Sequence, residues 1–247
     1  GVPGTNGLAF DRDGNLWTGD GTTGQGRVWK ITGAGANCSA SPAEKCVEVF
    51  RIQPMANEVN LVSNVGGVGR DVRSLLPGTI TVTATSRNAA NTLGSQALVA
   101  NGIAFDNDGN TMFVIDTARG ALWKVEFDAH GDLKSPTGCD TTFSDNTLCL
   151  SNVFVSHPIL EGGDGIALDV AGNIWVDANE RNAVAVVTKT GRVSEVFRNP
   201  VNASNLRNTA DAAVGNNHIL EFPTSPFLTG KVLCTSQSDG DRRDNSP

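Results

Sequence analysis

Asn101-Gly-Ile-Ala-Phe-Asp-Asn-Asp-Gly-Asn-Thr-Met-Phe reads as a short apolar strand, a tight turn and the start of a second strand. The glycine of Asp-x-Asp-Gly-Asn supplies the positive φ that a tight hairpin requires. The same sentence is written twice more. Asn6-Gly-Leu-Ala-Phe-Asp-Arg-Asp-Gly-Asn-Leu-Trp precedes it, and Asp164-Gly-Ile-Ala-Leu-Asp-Val-Ala-Gly-Asn-Ile-Trp follows it. A third strand follows in each copy: Arg27-Val-Trp-Lys-Ile, Ala121-Leu-Trp-Lys-Val and Ala183-Val-Ala-Val-Val. Val47-Glu-Val-Phe, Asn152-Val-Phe-Val and Val193-Ser-Glu-Val-Phe supply a fourth. Four antiparallel strands per repeat is the pattern of a β-propeller blade. The expected fold is therefore an all-β propeller in a single domain, of five to six blades and with an incomplete ring among the alternatives.

Spacing divides the chain into units near 5–50, 51–99, 100–155, 163–198 and 215–247. Asn6 and Asn101 stand about two blade lengths apart, so 51–99 reads as a divergent blade or a long insertion. The last unit is weaker, with strands near Ile219-Leu-Glu-Phe and Lys231-Val-Leu-Cys-Thr. Residues 203–214 suggest one short helical turn. The chain opens on Gly1 with neither an initiator Met nor a signal segment, as a processed or trimmed start would.

The 247 residues carry a net charge of −7 and no Lys/Arg block, which argues against general binding to a phosphate backbone. No apolar run is long enough for a membrane span. Five cysteines are present. Cys38 and Cys46, and Cys139 and Cys149, lie close in sequence in polar loops after equivalent strands. Two short-range disulfides are the preferred reading, with free thiols as the alternative; disulfides imply a secreted or periplasmic protein. Cys234, in an apolar run, reads as a buried strand thiol. Asn37-Cys-Ser and Asn202-Ala-Ser match the glycosylation pattern.

Several chemistries lack their signatures. There is no Gly-x-Ser-x-Gly elbow, no His-Glu-x-x-His, and no paired Cys-x-x-Cys; Gly66-Gly-Val-Gly-Arg lacks the phosphate-loop lysine. The Asp-x-Asp-Gly-Asn segments are not calcium loops, because Gly14 falls fourth from Asp11, not sixth, and Thr22 stands where a glutamate is needed. His130 and His157 sit in loops. His218 precedes a strand and is a weak candidate for substrate binding at the channel mouth.

Repeat symmetry places Asn6, Asn101 and Asp164 together at one mouth of the central channel. Two readings stand: ordinary Asx turns, or a cluster of oxygen ligands for a hard divalent cation.

Ala100 to Thr117 and Gly163 to Val176 resemble consecutive blades of the gluconolactonase, senescence-marker-protein and luciferin-regenerating-enzyme-like family. That resemblance implies a six-bladed propeller that hydrolyses a lactone or related small ester with one divalent cation in the channel. Calcium is the leading candidate, with magnesium, manganese or zinc as alternatives. It also implies that Asn101 and Asp164 are metal ligands and that Asp164 assists proton transfer as the catalytic residue. Asn6 would complete the shell or hold substrate hydroxyls. The family's glutamate ligand has no counterpart here: either Asn6 has replaced it, or it lies upstream of Gly1. The rival expectation is a non-catalytic propeller, like the NHL type, that binds a ligand or a protein partner; a third is an ion that only stabilises the ring.

Overall fold

The computed structural model describes residues 2, 5–21, 25–33, 38, 45–53, 100–117, 119–160, 162–200, 219, 220 and 222–238. The units expected at 51–99 and 203–214, His218, both glycosylation patterns and Gly66-Gly-Val-Gly-Arg fall wholly or largely outside them.

The described chain is built from antiparallel strands and short turns. The first sheet contains β1 (Thr5–Phe10), β2 (Leu16–Asp20), β3 (Arg27–Ile31) and β4 (Cys46–Arg51). The second contains β5 (Ala100–Phe105), β6 (Thr111–Asp116), β7 (Ala121–Glu126) and β8 (Val153–Ser156). The third contains β9 (Gly163–Leu168), β10 (Ile174–Ala178), β11 (Ala183–Val187) and β12 (Val193–Arg198). A two-stranded hairpin follows, β13 (Pro223–Thr229) and β14 (Val232–Gln237). Each sheet runs in chain order from an inner to an outer strand, which is blade topology. Among the described residues no hydrogen-bonded ladder joins one blade to another through these strands, so the ring is not closed by hydrogen bonds.

Each of the three repeated turns is held by its first aspartate. Asp11 Oδ1 accepts the Asp13 and Asn15 amides at 3.0 and 2.8 Å, and Asp11 Oδ2 accepts the Trp17 indole N–H at 2.9 Å. Asp169 repeats this with Ala171, Asn173 and Trp175. Phe replaces Trp in the middle copy, and Asp106 keeps only the amides of Asn110 and Thr111. Gly14, Gly109 and Gly172 all have positive φ. Burial disfavours the Asp11 and Asp169 carboxylates, yet hydrogen bonds from the tryptophan and asparagine outweigh it and hold both below the usual carboxylate range. Asp11→Ala and Asp169→Ala should each cost about 2 kcal/mol, and Asp106→Ala about 1 kcal/mol. Urea unfolding of the three variants checks that order.

Packing between blades builds two apolar cores. Trp17, Val28 and Phe50 of the first blade meet Ile103, Met112 and Trp123 of the second. Phe113, Ile115 and Leu122 of the second meet Ile166, Ile174 and Val176 of the third. Direct apposition of neighbouring inner strands requires glycine. A Cβ on Gly7 would fall within contact distance of the Asn101 carbonyl, one on Gly102 on that of Asp164, and one on Gly165 on that of Thr224. β1, β5, β9 and β13 therefore lie side by side.

Among the described residues nothing covers the faces at the two ends of this row of strands. Leu8 and Phe10 are 61% and 69% exposed, although Ile103, at the register of Leu8, is buried by the preceding blade. Phe227 is exposed at the other end. The same geometry corrects the reading of Cys234. It pairs with Phe227 and is an exposed thiol, because among the described residues no sheet covers that face of β14. The last unit also starts later than Ile219: its first strand is Pro223–Thr229. Among the described residues it has one hydrogen-bonded neighbour, β14, which leaves room for Pro223 and Pro226.

Both disulfides are formed, Cys38–Cys46 and Cys139–Cys149. The second closes a loop that docks on the outer edge of the first blade, where Arg51 N donates to Asn146 O at 3.0 Å and Leu148 N to Arg51 O at 2.8 Å. This covers part of an otherwise open strand edge.

Candidate functional site at the channel mouth

Asn6, Asn101 and Asp164 are each the second residue of an inner strand, in β1, β5 and β9. The polar–glycine pair therefore lies inside the strand and not ahead of it. A register irregularity follows in all three: Thr5 pairs with Asp20, Ala100 with Asp116 and Gly163 with Ala178 before regular pairing resumes at Leu8, Ile103 and Ile166. With the inner strands side by side, these three positions lie at one level across them, the row that would face the channel of a propeller. Thr224 of β13 continues the row.

The residue that follows the second strand of each blade sets the environment. In the first blade it is Gly21, and the Asn6 side chain fills the space a side chain there would take. Asn6 is exposed. In the second blade it is Thr117, whose hydroxyl donates to the Gly163 carbonyl at 2.6 Å. A hydroxyl has one proton, so toward Asn101 the Thr117 oxygen can only accept, and it does so from Asn101 Nδ2 at 3.0 Å. This bond fixes the amide's orientation. Asn101, 5% exposed, is left with a buried Oδ1 that has no hydrogen-bond partner. In the third blade the residue is Asn179, which donates Nδ2 to Asp164 Oδ2 at 2.6 Å.

Asp177 lies beside this row. It is buried, Thr235 of β14 donates to its Oδ2, and its Oδ1 has no partner. Burial, reinforced by the nearby Asp164 charge and only partly offset by the Thr235 hydrogen bond, pushes its carboxyl up to about 7.

A buried carbonyl oxygen without a donor, one residue from a strand neighbour that bears a carboxylate, suits a hard cation. Asn101 and Asp164 fit such an ion by donor chemistry. Among the described residues no group of three or more His, Cys, Asp or Glu forms a metal cluster, so the set would lean on amide oxygens. Thr117, Asn179 and Asp177 were not singled out from sequence. Of the histidines, His130 is exposed. His157 lies apart from this row; its Nδ1 accepts the Ile159 amide at 3.1 Å, and burial with the Arg181 charge lowers its pKa.

A family model described as the SMP-30/Gluconolactonase/LRE-like region matches residues 65–209, more than half of the chain. The chain belongs to this family. The match spans Asn101 and Asp164 but not Asn6, and no curated protein matches the chain. Solved structures similar to it include virginiamycin B lyase from Staphylococcus aureus, at 12% identity and TM-score 0.43, covering 94% of this chain and 48% of that one. The luciferin-regenerating enzyme is similar at 14% identity and TM-score 0.43, covering 92% and 50%. The periplasmic gluconolactonase of Pseudomonas aeruginosa is similar at 13% identity and TM-score 0.42, covering 78% and 39%. This SMP-30/gluconolactonase/LRE-like chain thus spans half or less of their length.

Proposed function

We propose that the chain carries the channel-mouth site of a divalent-cation-dependent hydrolase acting on a lactone or related small ester. The observation that supports this reading is the Asn101 amide, held by Thr117 so that its buried Oδ1 has no protein donor, on the strand beside Asp164. When bound, a divalent cation such as calcium would supply Lewis-acid polarisation of a carbonyl and a more acidic water. Asn101 contributes a neutral oxygen. Asp164 contributes the negative charge and a proton acceptor, oriented by Asn179. Asn6, which is exposed, would meet the polar groups of a small substrate. Two disulfides suit an oxidising compartment, and we place the protein in the periplasm or outside the cell.

The rival reading, a propeller that binds a protein partner without catalysis, draws on the uncovered Leu8 and Phe10. Asp164→Ala separates the two. The hydrolase reading expects roughly a 100-fold or greater loss in kcat/KM on a lactone panel with added calcium. It also expects the variant to stay folded in chelator with Tm lowered by a few degrees at most, because Asn179 loses its acceptor while Asp177 is relieved of a neighbouring charge. Absence of turnover in the unmodified protein with every divalent ion tried would favour the binding reading.

A further inference from the structure

The position after the second strand differs in all three blades: Gly21, Thr117 and Asn179. Among these described blades, only the third brings a second side-chain carbonyl oxygen to the row. Asn179 is 6% exposed, and its Oδ1 is buried without a hydrogen-bond partner. Its orientation is also set by what it faces. An ionised carboxylate only accepts, so the amide must turn Nδ2 toward Asp164 and Oδ1 away from that bond. The oxygen and nitrogen of a planar amide lie about 2.2 Å apart, so Asn179 Oδ1 stands within about 5 Å of Asp164 Oδ2. Two oxygens bound to one calcium ion, each at about 2.3–2.6 Å, have the same maximum separation. A bound cation would satisfy this buried acceptor, which no described protein group does.

We propose that Asn179 is a ligand of the cation at the channel mouth, its Oδ1 and the Asp164 carboxylate holding the same ion. The inference rests on the cation-site reading above. It gives Asn179 two tasks, a donor to Asp164 through Nδ2 and an oxygen to the ion through Oδ1, and the two can be separated.

Asn179→Thr copies the second blade: a hydroxyl can still donate to Asp164, but the carbonyl oxygen is lost. Asn179→Asp keeps an oxygen, adds charge and loses the donor. Calcium titration calorimetry on chelator-stripped protein reads both, with Tm in chelator as the control for folding. The expected results are an approximately tenfold or greater loss of calcium affinity in Asn179→Thr with Tm in chelator unchanged, and affinity at least as tight as the parent's in Asn179→Asp. Parent-like affinity in Asn179→Thr, or weakened affinity in a folded Asn179→Asp, would show that Asn179 only orients Asp164 and would overturn the proposal. Should Asn179→Asp not fold, Asn179→Thr decides alone. The two readings fail differently. No calcium binding by the parent removes the cation site itself, whereas parent-like affinity in both Asn179 variants beside a non-binding Asp164→Ala removes only the role of Asn179.

Discussion

Gly102→Val should destabilise the protein by about 3 kcal/mol or more and abolish any binding at the channel mouth. A Cβ at Gly102 would stand within contact distance of the Asp164 carbonyl, 2.8 Å from Ile166 N and 2.9 Å from Gly165 Cα. All three are backbone atoms of the neighbouring inner strand, so no side chain can swing aside. The strands must separate, and with them Asn101 and Asp164. The contrast is Gly33, which has a positive φ but open space around it. Gly33→Ala meets only the backbone penalty, about 1–2 kcal/mol. Denaturant unfolding of the two variants measures the difference. Equal costs would mean that the inner strands do not approach as closely as described.

Asp177→Asn should raise the Tm at pH 8 in chelator by roughly 5–15 °C, with the gain closing toward pH 4. Asp177 has an ordinary value of 3.8 and is raised to about 7 in the folded chain. Below the lower value both folded and unfolded chains hold the proton. Between the two values only the folded chain holds it, so stability falls as pH rises through this window. Above about 7 the buried charge is fully formed, and the cost is on the order of 4 kcal/mol. An amide removes the charge and still accepts from Thr235. A pH-independent difference in Tm would show that Asp177 titrates near its ordinary value.

The blade architecture was legible because its signals are local and repeated. Alternating apolar residues, a glycine at the positive-φ position and an aspartate that collects the turn amides occur at fixed offsets in each copy. Both disulfide pairings were legible for a similar reason, since equivalent strands precede each pair. The equivalence of Asn6, Asn101 and Asp164 came from the same repetition.

What surrounds those residues was not legible. Gly21, Thr117 and Asn179 share one register but no residue type, so repetition gave no hint that this position orients the candidate ligands. Asp177 stands where the second blade has Ile115, a carboxyl at an apolar position between blades, and nothing in its own strand marks it as buried. The glycine after each Asn or Asp looked like a turn residue. Its purpose is close strand approach, which depends on a neighbouring blade distant in sequence. Cys234 looked buried because its strand is apolar, but burial requires a facing sheet, and β14 has none on that side among the described residues.

The most direct test of the central claim is calcium titration calorimetry on chelator-stripped protein, run in parallel on Asp164→Ala. One site per chain is expected in the parent, with binding lost in the variant while the variant stays folded in chelator. No saturable binding of calcium, magnesium, manganese or zinc by the parent, or parent-like binding by Asp164→Ala, would contradict it.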